Sequence, residues 1–215
     1  MNETYNQIQQ DLKPSQATLV AVSKTRSEED IMSLYDLGQR IFGENRAQEL
    51  AAKYEALPKD IDWHLIGHLQ KNKVKYIAPF VSMIHSIDSL ELAEVVNKQA
   101  QKHDRTIDVL LQLKIAKEES KYGFAEQGVL EIVEKMKSLN NLRIRGLMGM
   151  ATFTSDEEQV SSEFKHLKSV FDEMKKSAFN DHTHFDVLSM GMSGDYKTAL
   201  SEGSTMVRIG SLIFN

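Results

Sequence analysis

The chain has 215 residues with 26 Lys and Arg against 31 Asp and Glu, a formal net charge of −5, and its isoelectric point is near 5.8. That balance argues against broad nucleic-acid binding, which needs a positive field over the phosphates. The absence of cysteine removes disulfides, thiolate nucleophiles and Cys-ligated zinc or iron–sulfur clusters.

With 41% hydrophobic and 27% charged residues the composition is that of a water-soluble globular chain. The expectation is one domain over residues 1–215, cytoplasmic, with no signal sequence and no membrane span. In chain order, residues 6–12 have the spacing of a helix, and residues 18–23 (TLVAVS) follow as the first strand. The stretch SEEDIMSLYDLG repeats apolar residues at three- and four-residue intervals and opens on Ser27 before Glu28 and Glu29, a helix-start signal. Strands are next expected over residues 40–43, 62–68 and 83–86, with the amphipathic ENRAQELAAKYEAL after the second. Lys71, Lys73 and Lys75 read as a solvated helix surface. Asp88-Ser89 opens another helical stretch, and strands follow over residues 107–115, 143–150, 185–190 and 206–212, again with amphipathic segments between them.

Eight strands, each separated by a helix, match a compact α/β fold, the single-domain (β/α)8 TIM barrel with an extra N-terminal helix. A doubly wound open sheet would show a Gly-rich nucleotide turn after its first strand. Here that strand runs into Ser23-Lys24-Thr25-Arg26, and the open sheet is the second reading.

In such a barrel the reactive groups end the strands on one face. The residues so placed are Lys24, Glu44 and Asn45, His68, His85 or Ser86, Lys114, Met148 or Met150, Ser189, and on the last strand Arg208, Gly210 and Ser211. Lys24 follows the apolar run ATLVAVS, so its amine is expected at the rim with limited solvent, where desolvation favours the neutral, nucleophilic form. A snorkelling lysine at a strand end is the plainer alternative. The last two strands end in Gly and Ser, at residues 189–194 (SMGMSG) and at Gly210-Ser211, where open N–H groups and hydroxyls suit a phosphate. Each alone is also an ordinary turn. A Schiff-base lysine and a phosphate cradle together describe the two ends of pyridoxal 5′-phosphate. Arg208 lies two residues before Gly210 and so on the same strand face. From there it would donate to the ring nitrogen and leave it unprotonated, which blunts carbanion chemistry.

The runs AVSKT, FGENRAQE, WHLIGHLQKNK, HSIDS, LRIRGLMGM, LSMGMSGDY and GSTMVRIGSLIF, in that order, resemble those of the pyridoxal 5′-phosphate homeostasis protein family. The resemblance implies a barrel of pyridoxal-phosphate fold type III, like the N-terminal domain of alanine racemase, with the cofactor held as an internal aldimine by Lys24. It also implies Asn45 near the ring, Ser189 and Met190 with Gly210 and Ser211 at the phosphate, and Arg208 at the pyridine nitrogen. Lys121, in SKYGF, matches a second lysine of the family and is expected near the rim, with an exposed loop lysine as its equal alternative. Arg46-Ala47 and Lys114 depart from the family pattern, and Lys114 would add a positive charge at the mouth. The implied role is to carry or buffer the cofactor in vitamin B6 and amino-acid homeostasis, with pyridoxal-phosphate-dependent apoenzymes as acceptors and the chain a monomer.

Racemases of this barrel type use a second acid/base group, a tyrosine from a separate β domain of a partner subunit. The chain stops directly after strand eight, and none of its six tyrosines falls at an expected strand end. A non-enzymatic carrier is therefore expected, with a weakly active racemase-like enzyme as the alternative. His64 and His68, four apart on a strand, would sit about 13 Å from each other, too far to share a metal, and no metal site is expected. A class I aldolase would use a barrel lysine without the cofactor, and the small lysine run could contact RNA, although a solvated helix surface is its ordinary explanation.

Overall fold

The computed structural model describes residues 2–116 and 122–214, and its eight parallel strands close into one barrel in sequence order. The strands are β1 (Thr18–Val22), β2 (Ile41–Glu44), β3 (Asp62–Leu65), β4 (Met83–Ile87), β5 (Ile107–Gln112), β6 (Leu142–Met148), β7 (Val187–Met192) and β8 (Met206–Ile209). Around them lie α1 (Asn2–Leu12), α2 (Glu28–Asp36), α3 (Ala47–Ala56), α4 (Val74–Ile77), α5 (Leu90–Lys102), α6 (Val129–Met136), α7 (Glu157–Lys176) and α8 (Tyr196–Ser201). β8 pairs back onto β1, with Thr18 opposite Met206 and Ala21 opposite Ile209, so the sheet has no free edge and the open-sheet reading is excluded.

Strand alternation builds two layers of core. Leu19 and Ala21 of β1 join the large apolar layer beneath the helices, while Val20 between them points inward with Met83, Leu110, Met148, Val187 and Met206. The helix starts follow the expected chemistry. Ser27 Oγ accepts from Asp30 N–H at 3.1 Å and Asp30 returns the bond to Ser27 N–H, a capping box at the head of α2.

The strand ends differ from the sequence expectation. β3, β5 and β8 stop earlier than their apolar runs, and β7 continues to Met192. After β3 the chain must turn at Gly67, whose position is so close to β2's end that a Cβ there would lie 2.4 Å from the Asn45 carbonyl oxygen. Past β5, Leu113 forms an isolated bridge to Phe124 and still donates its N–H to Met148 O at 2.9 Å. Apolar residues thus run on into loops where they still pack, and hydrophobicity alone does not mark where pairing ends.

Candidate functional site

Lys24 lies in the turn after β1, on the side of the barrel mouth, since it continues the inward parity of Val20 and Val22. Its side chain is exposed, which corrects the expected limited solvent: burial ends at Ser23, one residue earlier. The turn is held from outside the barrel instead. Ser23 Oγ donates to Glu44 Oε1 at 2.6 Å, and Lys53 Nζ donates to Ser23 O at 2.7 Å, Glu44 Oε1 at 2.7 Å and Glu49 Oε1 at 2.9 Å. Thr25 N–H donates to Glu49 Oε1 at 2.8 Å, with Thr25 at φ +63°, a left-handed conformation uncommon for a β-branched residue. Burial raises the Glu44 carboxyl, against the hydrogen bonds from Lys53 and Ser23. Partial burial also pushes Glu49 up, but its bonds to Lys53 and the Thr25 N–H together bring it below the usual carboxylate range.

Across the mouth, β7 runs on to Met192, so Ser189 and Met190 lie within the strand and not at its end, where the phosphate loop is expected to begin. Met190 is fully buried in the layer beneath the helices, and Ser189 is fully buried on the inside of the barrel. The turn after β7 consists of Ser193, Gly194 and Asp195, and the turn after β8 begins at Gly210 and Ser211. Gly210 N–H donates to Ser193 Oγ at 3.4 Å and links the two. Gly210 also sits against β1, where a Cβ would come within 2.8 Å of the Val22 carbonyl oxygen. Among the described residues, no acceptor takes the N–H groups of Ser193, Gly194, Ser211 or Leu212. Four such donors on two adjacent turns are the kind of backbone group that an anion can recruit.

Arg208 is 4% exposed, on the inner face of β8. Its Nη1 donates to Ser189 Oγ at 2.6 Å and its Nη2 to Gly149 O at 3.1 Å, and among the described residues no carboxylate comes within ion-pair distance of it. Complete burial brings its pKa down to about 10, and the charge of Asp195 opposes that shift. A guanidinium buried without a carboxylate, together with turn donors that lack acceptors, fits a ligand with a phosphate at one end and a ring-nitrogen acceptor at the other.

Asn45 follows β2 directly and is half-buried, with its backbone packed on Gly67. Ser86 Oγ donates to Gly67 O at 2.6 Å and completes this side of the rim. His64 and His68 are separated by the end of β3. His64 is inside the barrel, its Nδ1 3.0 Å from His85 Nε2, while His68 lies outside, 3.1 Å from Asp88 and stacked on Tyr122. The common strand face assigned to the pair is therefore corrected. Lys114 is exposed beyond β5, and Lys121 lies outside the described residues.

Sequence reasoning placed Ser193 in the loop 189–194 and Glu44 and His85 at strand ends without giving them a role, and it missed Glu49, Lys53 and the inward His64 as site-forming residues. One local signal existed: Glu49 and Lys53 are an i, i+4 pair within and just after FGENRAQE, facing the same way on α3.

The whole chain, residues 1–215, matches the family described as alanine racemase, N-terminal domain. A curated pyridoxal phosphate homeostasis protein of Aquifex aeolicus is 40% identical over 199 residues, 92% of this chain and 86% of the relative. One of Vibrio alginolyticus is 38% identical over 206 residues, 94% of this chain and 87% of the relative. Among solved structures, PipY of Synechococcus elongatus without pyridoxal phosphate superposes with a TM-score of 0.93 at 33% identity, covering 99% of each chain. PipY with pyridoxal phosphate bound gives 0.89 with the same identity and coverage. An alanine racemase of Clostridium difficile gives 0.72 at 13% identity over 95% of this chain and 53% of its own, a likeness of fold.

Proposed function

This chain belongs to the pyridoxal phosphate homeostasis proteins on the alanine racemase N-terminal fold, and from that membership we propose that it binds pyridoxal 5′-phosphate across the barrel mouth and carries or buffers it rather than turning over amino acids. When bound, the cofactor supplies an aldehyde that a primary amine captures with loss of water. Lys24 is the amine assigned to that role, because its strand parity turns it toward the mouth next to the turn after β8 and because it is the lysine of the family run AVSKT; Lys114, past β5, shares the parity but not the run. Ser193 and Gly194 with Ser211 and Leu212 would hold the phosphate through their open N–H groups. Gly210 gives the tail room at β1, and Asn45 borders the ring. Arg208 would donate to the ring nitrogen, and a cation there supports the carrier reading because it withholds the ring proton on which strong electron withdrawal depends.

The observation that carries this reading is the set of four N–H groups without a protein acceptor in the turns after β7 and β8, at the same end of the barrel as Lys24. Borohydride treatment of the protein loaded with the cofactor, followed by peptide mass analysis, is expected to place the label on Lys24. Lys24→Ala is expected to lose the label and keep weaker, phosphate-dependent binding. A label on another lysine, or full labelling of the variant, would remove the assignment.

The proposed unit is the single chain, since the lysine, the guanidinium and the turn donors all come from one closed barrel. The exposed apolar residues on the rim, among them Met150, Phe153 and Met192, support transfer to apoenzymes that meet the mouth directly. Among the described residues no helix is long and apolar enough to cross a membrane, and the cysteine-free composition supports a reducing cytoplasm as the compartment.

A further inference from the structure

Behind Arg208 a row of polar side chains crosses the barrel interior. Ser189 Oγ is 2.6 Å from Arg208 Nη1 and 3.1 Å from His85 Nδ1, and His85 Nε2 is 3.0 Å from His64 Nδ1. All four residues are at least nine-tenths buried. His64 also lines a polar hollow of about 420 Å³ at the far end of the barrel, together with Asp62, Ser82, Asp108 and Arg145.

The direction of each bond follows from the one group that can only donate. A guanidinium has no acceptor, so Ser189 Oγ accepts from Arg208. The serine hydrogen is then free to go to His85 Nδ1, which makes Nδ1 an acceptor and leaves the His85 proton on Nε2. His64 Nδ1 must accept that proton's bond, and the His64 proton is in turn on its own Nε2. The reverse order is also hydrogen-bonded, but it would aim His85 Nδ1–H at the serine and turn every dipole's positive end toward a buried cation. With the first order each O–H or N–H points away from Arg208, and each negative end faces it. Burial keeps both rings neutral, and the charge of Arg208 adds to this at His85, so neither ring competes as a second cation.

We propose that His64, His85 and Ser189 form a one-way hydrogen-bonded arm, with both imidazoles in the Nε2–H form, that solvates the Arg208 guanidinium and fixes its direction toward the ring-nitrogen position. The arm stands in for the carboxylate that a buried cation ordinarily requires. His85 is a positioning residue in this scheme, acting on the ring through Ser189 and Arg208. The link to the ring rests on the cofactor reading above, whereas the arm itself does not.

The first test uses the protein without cofactor. Long-range 1H–15N correlation of ring-labelled histidine at neutral pH is expected to show protonated Nε2 and unprotonated Nδ1 for both His64 and His85. A protonated Nδ1 on His85, or an imidazolium at either site, overturns the arm. The second test compares His85→Leu with His85→Gln, whose amide oxygen can again accept from Ser189. His85→Leu is expected to weaken cofactor retention by about tenfold and to move the absorbance maximum of the bound form, and His85→Gln to recover most of both. Unchanged retention and absorbance in a folded His85→Leu protein overturn the positioning role. Should that variant not fold, the tautomers of the unaltered chain decide alone. Absence of cofactor binding by the unaltered protein would remove the function reading while leaving the tautomer result to judge the arm.

Discussion

Lys53 Nζ lies 2.7 Å from the carbonyl oxygen of Ser23, the residue that precedes Lys24. A helix on the outside of the barrel thereby holds the backbone of a turn that opens at its mouth. The same ammonium neutralises Glu44, which burial otherwise raises, and binds Glu49, which holds the next peptide N–H of the turn at Thr25. The left-handed Thr25 persists because both of its sides are tied.

Lys53→Met is expected to destabilise the protein by about 3 kcal/mol, because it leaves Glu44 buried without its partner. Urea unfolding at neutral pH measures this. Adding Glu44→Gln to the same chain is expected to recover part of the loss, and an equally large or larger loss in the double variant would contradict the charge argument.

Glu49→Gln keeps the shape of the α3 clamp but weakens its bonds to Lys53 and to the Thr25 N–H. The expected result is a slower covalent capture of the cofactor, by about tenfold, with a melting temperature close to that of the unaltered chain. Stopped-flow absorbance on mixing with the cofactor reads the rate. An unchanged rate would mean that the turn holds Lys24 without help from α3.

Stability is expected to fall on acidification well before most carboxylates protonate. In the unfolded chain both His64 and His85 bind a proton near the ordinary imidazole value, about 6.5. In the folded chain burial holds His64 down to about 4 and His85 well below its ordinary value. The unfolded state therefore takes up more protons in this window, so stability is full above about pH 6.5 and declines as pH is lowered, by about 2 kcal/mol at pH 5 from His64 alone, with His85 acting in the same direction. Urea midpoints at several pH values test this, and His64→Gln is expected to flatten the slope. A flat profile in the unaltered protein would contradict the neutral burial of the pair.

At the anion cradle, Ser211→Asp places a carboxylate beside the open N–H groups and is expected to lower cofactor retention more than about tenfold, against about threefold or less for Ser211→Ala. Equilibrium dialysis separates the two. Equal retention by both variants would move the phosphate away from this turn.

Gly67→Ala drives a methyl into the Asn45 backbone, where a Cβ would stand 2.4 Å from the carbonyl oxygen. A loss of about 1–3 kcal/mol is expected, together with weaker cofactor binding as Asn45 moves. A thermal melt with and without cofactor reads both, and a variant as stable as its parent would show that the rim on this side yields freely.

The number and order of the strands were legible in the sequence because a strand's alternation and a helix's three- and four-residue period are local patterns, as in TLVAVS and SEEDIMSLYDLG. The family runs, in their order, pointed to the same barrel and to Lys24, Arg208 and Gly210 as its site. Strand ends were not legible, because the loss of pairing after Leu65 or the continuation to Met192 depends on where neighbouring strands stop. That is why the sequence ends this strand at Met190, two residues before it ends in the structure.

Composition and periodicity, then, determined that this chain is an acidic, cysteine-free barrel with a lysine after its first strand. Only the tertiary structure decided how that lysine's turn is held and how a buried arginine is solvated. Glu49 is 24 residues from Thr25, and His85 is 104 from Ser189. Hydrogen bonds between residues that far apart have no local signature, since their geometry is set by closure of the barrel and by the need of each buried polar group for a partner.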